Sequence, residues 1–480
     1  MSDPLALLPL ALAAGGGRID GFDAGQVVAA GLTLLQRCAP LVRAMAGRRA
    51  AILLPTGPHF LVALSACDGR AAVLVNPLAS TPEIAWQCRD ADAGALFTTR
   101  ALSARLPSDI AARVPVVLLD NAPRTATVFV DGRTLEVDLG SHHGLALEGD
   151  SEAPGRDEPC AVVYTSAMAG YPRGAILSHR NLLANGRSTV VAAEMNRDDH
   201  ALAVLPFSHL FGLTVSGVAP LLAGARVTTM ERFHPIRALD LIESEGVTQL
   251  VGVPALFAGL LAAMERRGAR FTGHALRTCI CGGAVLPVSL QDRFAELTGV
   301  ELRQGYGLTE ASPVSLFNRV SLPNRRGTLG VSFPNVDVSI RDVVSGEAVT
   351  PGERGEICIR GDNVFMGYVN DATDGLQVRD GWLYSGDEGR EHADGTIGFL
   401  GVRKPMFTRN GFNIYPRELE RVIGAMPGVV DVRVTGIPDA ARESEIRIDV
   451  WGMVSEVEVK RWCEAMLGLY KQPAVVEVHA

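Results

Sequence analysis

The sequence predicts an α/β protein, with a large amino-terminal region of mixed, mostly parallel sheets and helices and a small α/β carboxy-terminal lid domain. Three observations predict it. Short runs rich in Val, Ile and Leu alternate with helical-looking segments through most of the chain, the pattern of strand–helix units around parallel sheets. After Asp337 the apolar runs come closer together, as in a more antiparallel region. Gly401 to Pro405 then reads as a linker, and the stretch after it, about 75 residues, is enough for one small domain. The implied domains are 1–402 and 403–480. A chain of 480 residues is too long for one ordinary core.

The elements follow in order. Ala51-Ile-Leu-Leu-Pro55 reads as a buried strand and His59 to Ala66 as a helix. Ala71 to Val75 is a strand and Pro82 to Asp90 a helix. Cys160 to Tyr164, Ala201 to Leu205, Arg277 to Cys281 and Glu301 to Arg303 continue the strand series. Val336 to Arg341, Glu356 to Arg360 and Gly398 to Leu400 are the strands of the later, antiparallel region.

Composition excludes several functions. Hydrophobic residues make up 47% and charged residues 20%, which is globular rather than disordered. A net charge of -8 without a Lys/Arg cluster argues against tracking nucleic-acid phosphates. Eight cysteines are scattered, and only Cys279 and Cys281 lie close together. One such pair is a weak metal signal, and reduced cysteines in a cytoplasmic protein are the expectation. The apolar run Leu5 to Ala14 follows Asp3 with no Lys or Arg before it, so the basic start of a signal peptide is missing. No run reaches the ~18 apolar residues of a transmembrane segment. The expected location is cytoplasmic.

Four stretches carry chemistry. The first is Tyr164-Thr-Ser-Ala-Met-Ala-Gly-Tyr-Pro-Arg-Gly174, after a predicted strand. Its small residues let backbone N–H groups approach phosphates, with Thr165, Ser166 and Arg173 as side-chain contacts. Taken alone, a plain turn at Gly170 and Gly174 is the simpler account of it. The second is Gln304-Gly-Tyr-Gly-Leu-Thr-Glu310. Tyr306 between two glycines offers an uncrowded face for adenine. Thr309 supplies a hydroxyl and Glu310 a hard oxygen for Mg²⁺. In the third, Tyr384-Ser-Gly-Asp387, the Asp can accept both ribose hydroxyls. The fourth, Gly401 to Glu420, contains Asn410-Gly-Phe-Asn-Ile-Tyr-Pro416.

In this order the stretches resemble the adenylate-forming (AMP-binding) superfamily of acyl-CoA synthetases, peptide-synthetase adenylation domains and luciferases. Fatty acyl-CoA ligases are the nearest in character. Leu53-Leu-Pro-Thr-Gly-Pro58, Leu205-Pro-Phe-Ser-His-Leu-Phe-Gly212 and Cys281-Gly-Gly-Ala284 also fit, and the resemblance runs from about Ala51 to the end. It implies that Gly282, Gly283 and Ala284 border the adenine, and that Tyr306 and Gly307 lie against it. Thr309 would touch the α-phosphate, Glu310 would hold Mg²⁺, and Asp387 would bind the ribose. His209 would stand at the acyl pocket, or is simply a packed histidine. Lys404 would be the hinge of the small domain, or is only a solvated linker charge, and Arg403 beside it would contact the nucleotide. Gly411 would line the passage for pantetheine. The implied reaction joins a carboxylic acid, fatty or otherwise apolar, to a thiol in two steps. ATP first gives an acyl-adenylate, and coenzyme A or a carrier-protein thiol then displaces AMP.

The sequence departs from that family in places. The phosphate loop usually reads Ser-Gly-Thr-Thr-Gly-x-Pro-Lys-Gly; here Ala167, Met168 and Ala169 replace Gly-Thr-Thr and Arg173 replaces Lys. Gly401-Val402 replaces the usual Gly-Arg, and Pro405 an Asp that commonly follows the hinge. Beyond a run like Tyr470-Lys-Gln-Pro473 the family continues to a Gly-Lys whose lysine reaches the adenylation site, whereas this sequence stops at Ala480. The expectation is a weak adenylation step, unless a partner subunit or a substitute cation, Arg173 or Lys471, restores it. A homologue that only binds acyl-AMP or nucleotide is the competing expectation.

Overall fold

In the computed structural model, residues 7–67, 70–140, 157–165, 172–268, 271, 273–371, 376–403, 406–439 and 441–479 are described. Among them, two nine-stranded sheets form the large region. One runs from Val331–Ser332 through Val314–Phe317, Leu302–Gly307, Thr278–Cys281, Gln249–Gly252, His200–Ala203, Arg226–Thr229 and Arg18–Ile19 to Phe22–Asp23. Its six middle strands are parallel and its outer pairs antiparallel. The other centres on the parallel strands Pro159–Thr165, Ala72–Leu74, Arg49–Ile52, Ala93–Thr98 and Val116–Leu118. Arg173–Ser178 folds back beside Pro159–Thr165 in antiparallel register, with Arg173 opposite Thr165.

Alternation along each strand explains why the strands are apolar almost throughout. Ala201, Val251 and Ile280 of the first sheet face Ile52, Leu74 and Val163 of the second across one core shared with helices Ala24–Arg37, Pro58–Ser65 and His179–Ala192. Their neighbours Leu202, Leu250 and Cys279 face the other way, onto helices Pro235–Glu245, Pro254–Arg267 and Val288–Thr298. Ala51, Val73 and Val162 likewise cover the far face of the second sheet. Both faces are therefore buried, as parallel sheets require.

A third, antiparallel sheet follows: Val336–Arg341, Gly355–Gly361 and Trp382–Glu391, with Val378–Arg379 and Ile397–Val402. Gly401 and Val402, expected in a linker, complete its last strand. The small domain is α/β. A hairpin, Phe407–Arg409 and Phe412–Ile414, leads into helix Pro416–Gly424. The three-stranded sheet Val429–Asp439, Glu443–Gly452 and Val475–His479 packs with helix Glu456–Met466 around Ile423, Ile446, Ile448 and Cys463.

The expected strands and helices are found, with ends displaced by a few residues. Helix Thr81–Asp90 starts at a capping box: Ser80 Oγ accepts from Glu83 N at 3.3 Å and Glu83 Oε2 accepts from Ser80 N at 2.7 Å. The apolar amino-terminal run forms helix Leu8–Gly15, whose Leu8 and Leu12 lie in the main core. Among the described residues no single helix is long and apolar enough to cross a membrane. The apolar pair Ala24–Arg37 and Ala39–Met45 bends by 93°. Cys279 and Cys281 are buried on one strand, and burial pushes both thiols up.

Candidate active site

A cavity of about 550 Å³ opens between the large region and the small domain. Its walls come from the ends of strands and from the hairpin facing them. Thr165, Arg173, His209, Gly282, Gly283, Ala284, Tyr306, Gly307, Thr309, Glu310, Asp387 and Gly411 all line it. Gly174 lies one residue beyond Arg173, where a Cβ would press on Val162 and Val369 at 2.8 and 2.9 Å. Arg403 points to Glu356: its guanidinium lies 3.5 Å from Oε2, and its backbone N–H donates to the Gly386 carbonyl at 2.9 Å. Ser166, Gly170 and Lys404 lie outside the described residues.

Tyr306 ends strand Leu302–Gly307, and its hydroxyl donates to Asp387 Oδ2 at 2.7 Å. Burial, with the Asp387 charge beside it, pushes this phenol well above its ordinary range. It stays protonated and fixes the carboxylate. Gly307 has no alternative at its position, because a Cβ there would overlap the Pro313 carbonyl. That close approach turns the chain into the short helix Thr309–Ala311, presenting Thr309 and Glu310 to the cavity.

Glu310 is 6% exposed. Tyr368 Oη donates to its Oε1 at 2.7 Å, and Thr165 Oγ1 lies 3.4 Å from the same oxygen. Both hydroxyls address Oε1, which leaves Oε2 for a hard cation. One carboxylate completed by substrate phosphates is a usual Mg²⁺ arrangement, so the residues present fit that ion. Tyr368 was not legible in the sequence: it lies 58 residues from Glu310 in a strand of only two residues.

His209 precedes the π-helix Phe211–Val218, a fully buried segment of the kind found at functional sites. Its Nδ1 accepts from Phe211 N at 3.2 Å, so the proton of the neutral ring sits on Nε2. Burial lowers its pKa to about 4 from 6.5. Between those values the unfolded chain binds a proton that the folded chain refuses. The stabilisation is therefore complete above pH 6.5 and is lost as pH falls toward about 4. His59 and His200 are lowered in the same direction by burial. His209→Gln should remove one part of this acid slope, so its urea midpoints at pH 7 and pH 5 should lie closer together than those of the parent. An unchanged gap would show that His209 does not contribute.

The small domain contributes Phe407, Gly411, Phe412, Asn413, Tyr415 and Tyr470 to the lining. Gly411 has φ +75° and stands against Val253, where a Cβ would collide with Cγ1. Its N–H donates to Glu443 Oε2 at 3.0 Å. Glu443 is also an unexpected site neighbour; it holds φ +64°, and burial raises its carboxyl. Lys471, expected as a substitute cation for phosphate, is instead buried between Glu83 and Glu418 at 2.7 and 2.6 Å.

A family model described as AMP-binding enzyme matches residues 38–369. A feruloyl-CoA synthase from Amycolatopsis sp is 32% identical over 448 residues, covering 90% of this chain and 84% of the relative. A long-chain-fatty-acid–CoA ligase from Bacillus subtilis (strain 168) is 27% identical over 463 residues, covering 90% and 82%. A malonyl-CoA ligase solved as a ternary product complex with methylmalonyl-CoA and AMP is 26% identical, with a TM-score of 0.81 over 97% of this chain and 96% of that one. ATP-bound MatB from Rhodopseudomonas palustris, also 26% identical, aligns at a TM-score of 0.72 over 100% and 95%. With the cavity built as described, these matches place the chain in the adenylate-forming AMP-binding family, as an acid–thiol ligase of the acyl-CoA synthetase type.

Proposed function

We propose that this chain joins an apolar monocarboxylic acid to the thiol of coenzyme A through an acyl-adenylate, and that thiol transfer is its stronger half-reaction. The observation that carries this is the meeting of Tyr306, Glu310 and Asp387 with Gly411 of the small domain around one cavity. Tyr306 and Gly282 to Ala284 bound a slot for adenine. Asp387, already oriented by Tyr306, accepts the ribose hydroxyls. Mg²⁺, when bound at Glu310, would neutralise phosphate charge. Thr309 and Thr165 offer hydroxyls to the phosphate oxygens, and Arg173 a positive charge.

The acid end is apolar. Among the described lining residues Arg173 is the sole Lys or Arg. A second carboxylate near Ser208, His209, Phe211 and Leu329 would be desolvated without a cation from the described lining residues. His209, neutral with its proton on Nε2, donates a hydrogen bond there rather than taking a proton.

Two features support strong transfer and weak adenylation. Ala167, Met168 and Ala169 lack the hydroxyls that grip the outer phosphates. The small domain presents Gly411 beside Gly283, 3.6 Å from the Cβ that position would carry, as a thiol passage needs. Adenylation then requires the small domain to turn about the segment 403–405, Lys404 being the hinge.

The test is one preparation and two assays. ATP–pyrophosphate exchange is measured beside thioester formation from synthetic acyl-adenylate and coenzyme A, with aliphatic, aromatic and dicarboxylic acids. Transfer should be the faster reaction, and dicarboxylates should be inert. Brisk exchange would remove the impaired-adenylation part. Loading of a carrier-protein thiol without turnover of coenzyme A would change the acceptor. Asp387→Ala should weaken AMP binding by about 1–3 kcal/mol, the loss on leaving hydrogen-bond partners unmatched. Calorimetry giving the same affinity for parent and variant would show that the ribose lies elsewhere.

A further inference from the structure

Lys471 has a different task from the one its position near the cavity suggests. It is 3% exposed, and its Nζ bonds Glu418 Oε1 at 2.6 Å and Glu83 Oε1 at 2.7 Å. Glu418 lies on helix Pro416–Gly424 of the small domain and Glu83 on helix Thr81–Asp90 of the large region. The bond to Glu418 travels with the small domain; the bond to Glu83 crosses the seam. Glu83 is held for this contact, because its other oxygen caps its own helix at Ser80. Two more bonds close the seam beside it: Ser80 Oγ donates to the Met466 carbonyl at 2.9 Å, and Leu469 N donates to the Leu78 carbonyl at 2.9 Å.

The clasp is wired to the hairpin that carries Gly411. Lys471 Nζ lies 5.1 Å from the centre of the Tyr470 ring. That ring packs on Phe412 at 4.7 Å, the residue after Gly411. From the same hairpin, Arg409 donates to the carbonyls of Tyr470 and Gln472 at 3.2 and 2.8 Å. Separating the domains deprives a buried ammonium of one of its two carboxylates, a costly change inside a protein. The orientation that keeps both partners is the one that sets Gly411 against Val253.

We propose that Glu83 and Lys471 form an inter-domain clasp, with Glu83 a positioning residue that holds the Gly411 hairpin in place for thiol transfer. This rests on the two-orientation reading above. Lys471 is thereby committed to the seam and supplies no charge to phosphate in this orientation. The clasp biases the small domain toward transfer and against adenylation.

Glu83→Gln keeps an acceptor for the Ser80 N–H and removes the charge facing Lys471. Thioester formation from synthetic acyl-adenylate should fall about 10-fold or more, as expected for losing a charged partner. ATP–pyrophosphate exchange should hold or rise. Glu83→Asp, which keeps the charge, should recover part of the transfer rate. Spin labels on Asp131→Cys and Glu464→Cys report domain orientation directly, since the eight native cysteines are all buried. Their distance distribution should broaden in Glu83→Gln. Equal loss of both half-reactions, or an unchanged distribution, overturns the clasp. A parent chain inactive with every acid would overturn the proposed function instead, and the spin-label distances would still decide the clasp.

Discussion

Glu310→Gln should lower ATP–pyrophosphate exchange by about 10²–10³, the usual loss when one preorganised electrostatic partner of a reacting centre is removed. The carboxylate is buried at the cavity wall, and Tyr368 and Thr165 share one of its oxygens. Gln keeps the volume and the acceptor for Tyr368 while removing the charge that draws a divalent cation. AMP binding, which leans on Tyr306 and Asp387, should change far less. Tyr368→Phe should give a smaller loss, because it frees the carboxylate without neutralising it. Exchange rates titrated with Mg²⁺ make the check: Glu310→Gln should need more Mg²⁺ for half-maximal rate. An unchanged Mg²⁺ dependence would place the cation elsewhere.

Gly411→Ala should act on the other half-reaction. The added methyl would collide with Val253 Cγ1, and the backbone there has φ +75°, a region costly for any residue with a Cβ. Overpacking of this kind costs about 1–3 kcal/mol. The clash with Val253 exists only in the closed seam, so transfer should slow by about 10- to 100-fold and exchange much less. Val253→Ala in the same chain removes the obstructing methyls and should restore part of the transfer rate. Transfer unaffected by Gly411→Ala would mean that the passage does not run beside this glycine.

How much of this was legible in the sequence depended on range. Val336–Arg341 formed as expected, because alternation within one strand is local. Tyr306, Glu310 and Asp387 were legible because glycines and short motifs mark them, and they meet around the cavity. Their partners were not. Tyr368 reaches Glu310, and Lys471 reaches Glu83 across 388 residues; no period or spacing records such pairings. Lys471 illustrates the limit: a charge near a site motif suggested phosphate, yet burial between two carboxylates assigns it to the seam. Gly401 and Val402 have linker composition, but pairing with Asp387 and Glu388 made them strand.

The amino-terminal helix has a consequence for synthesis. Leu8 N donates to His179 Nδ1 at 3.0 Å, and Arg18 pairs in parallel register with Arg226. Both partners are translated long after the helix. At about 5–20 residues per second, the bond from Leu8 to His179 and the pairing of Arg18 wait on the order of ten seconds or more, while helix Ala24–Arg37, on which Leu8–Gly15 mainly packs, follows at once. During that interval the apolar helix is covered on the side of Ala24–Arg37, and the face that will meet helices His179–Ala192 and Ala219–Leu222 stays open. Slowing elongation between residues 20 and 226 should therefore lower soluble yield without altering the finished enzyme.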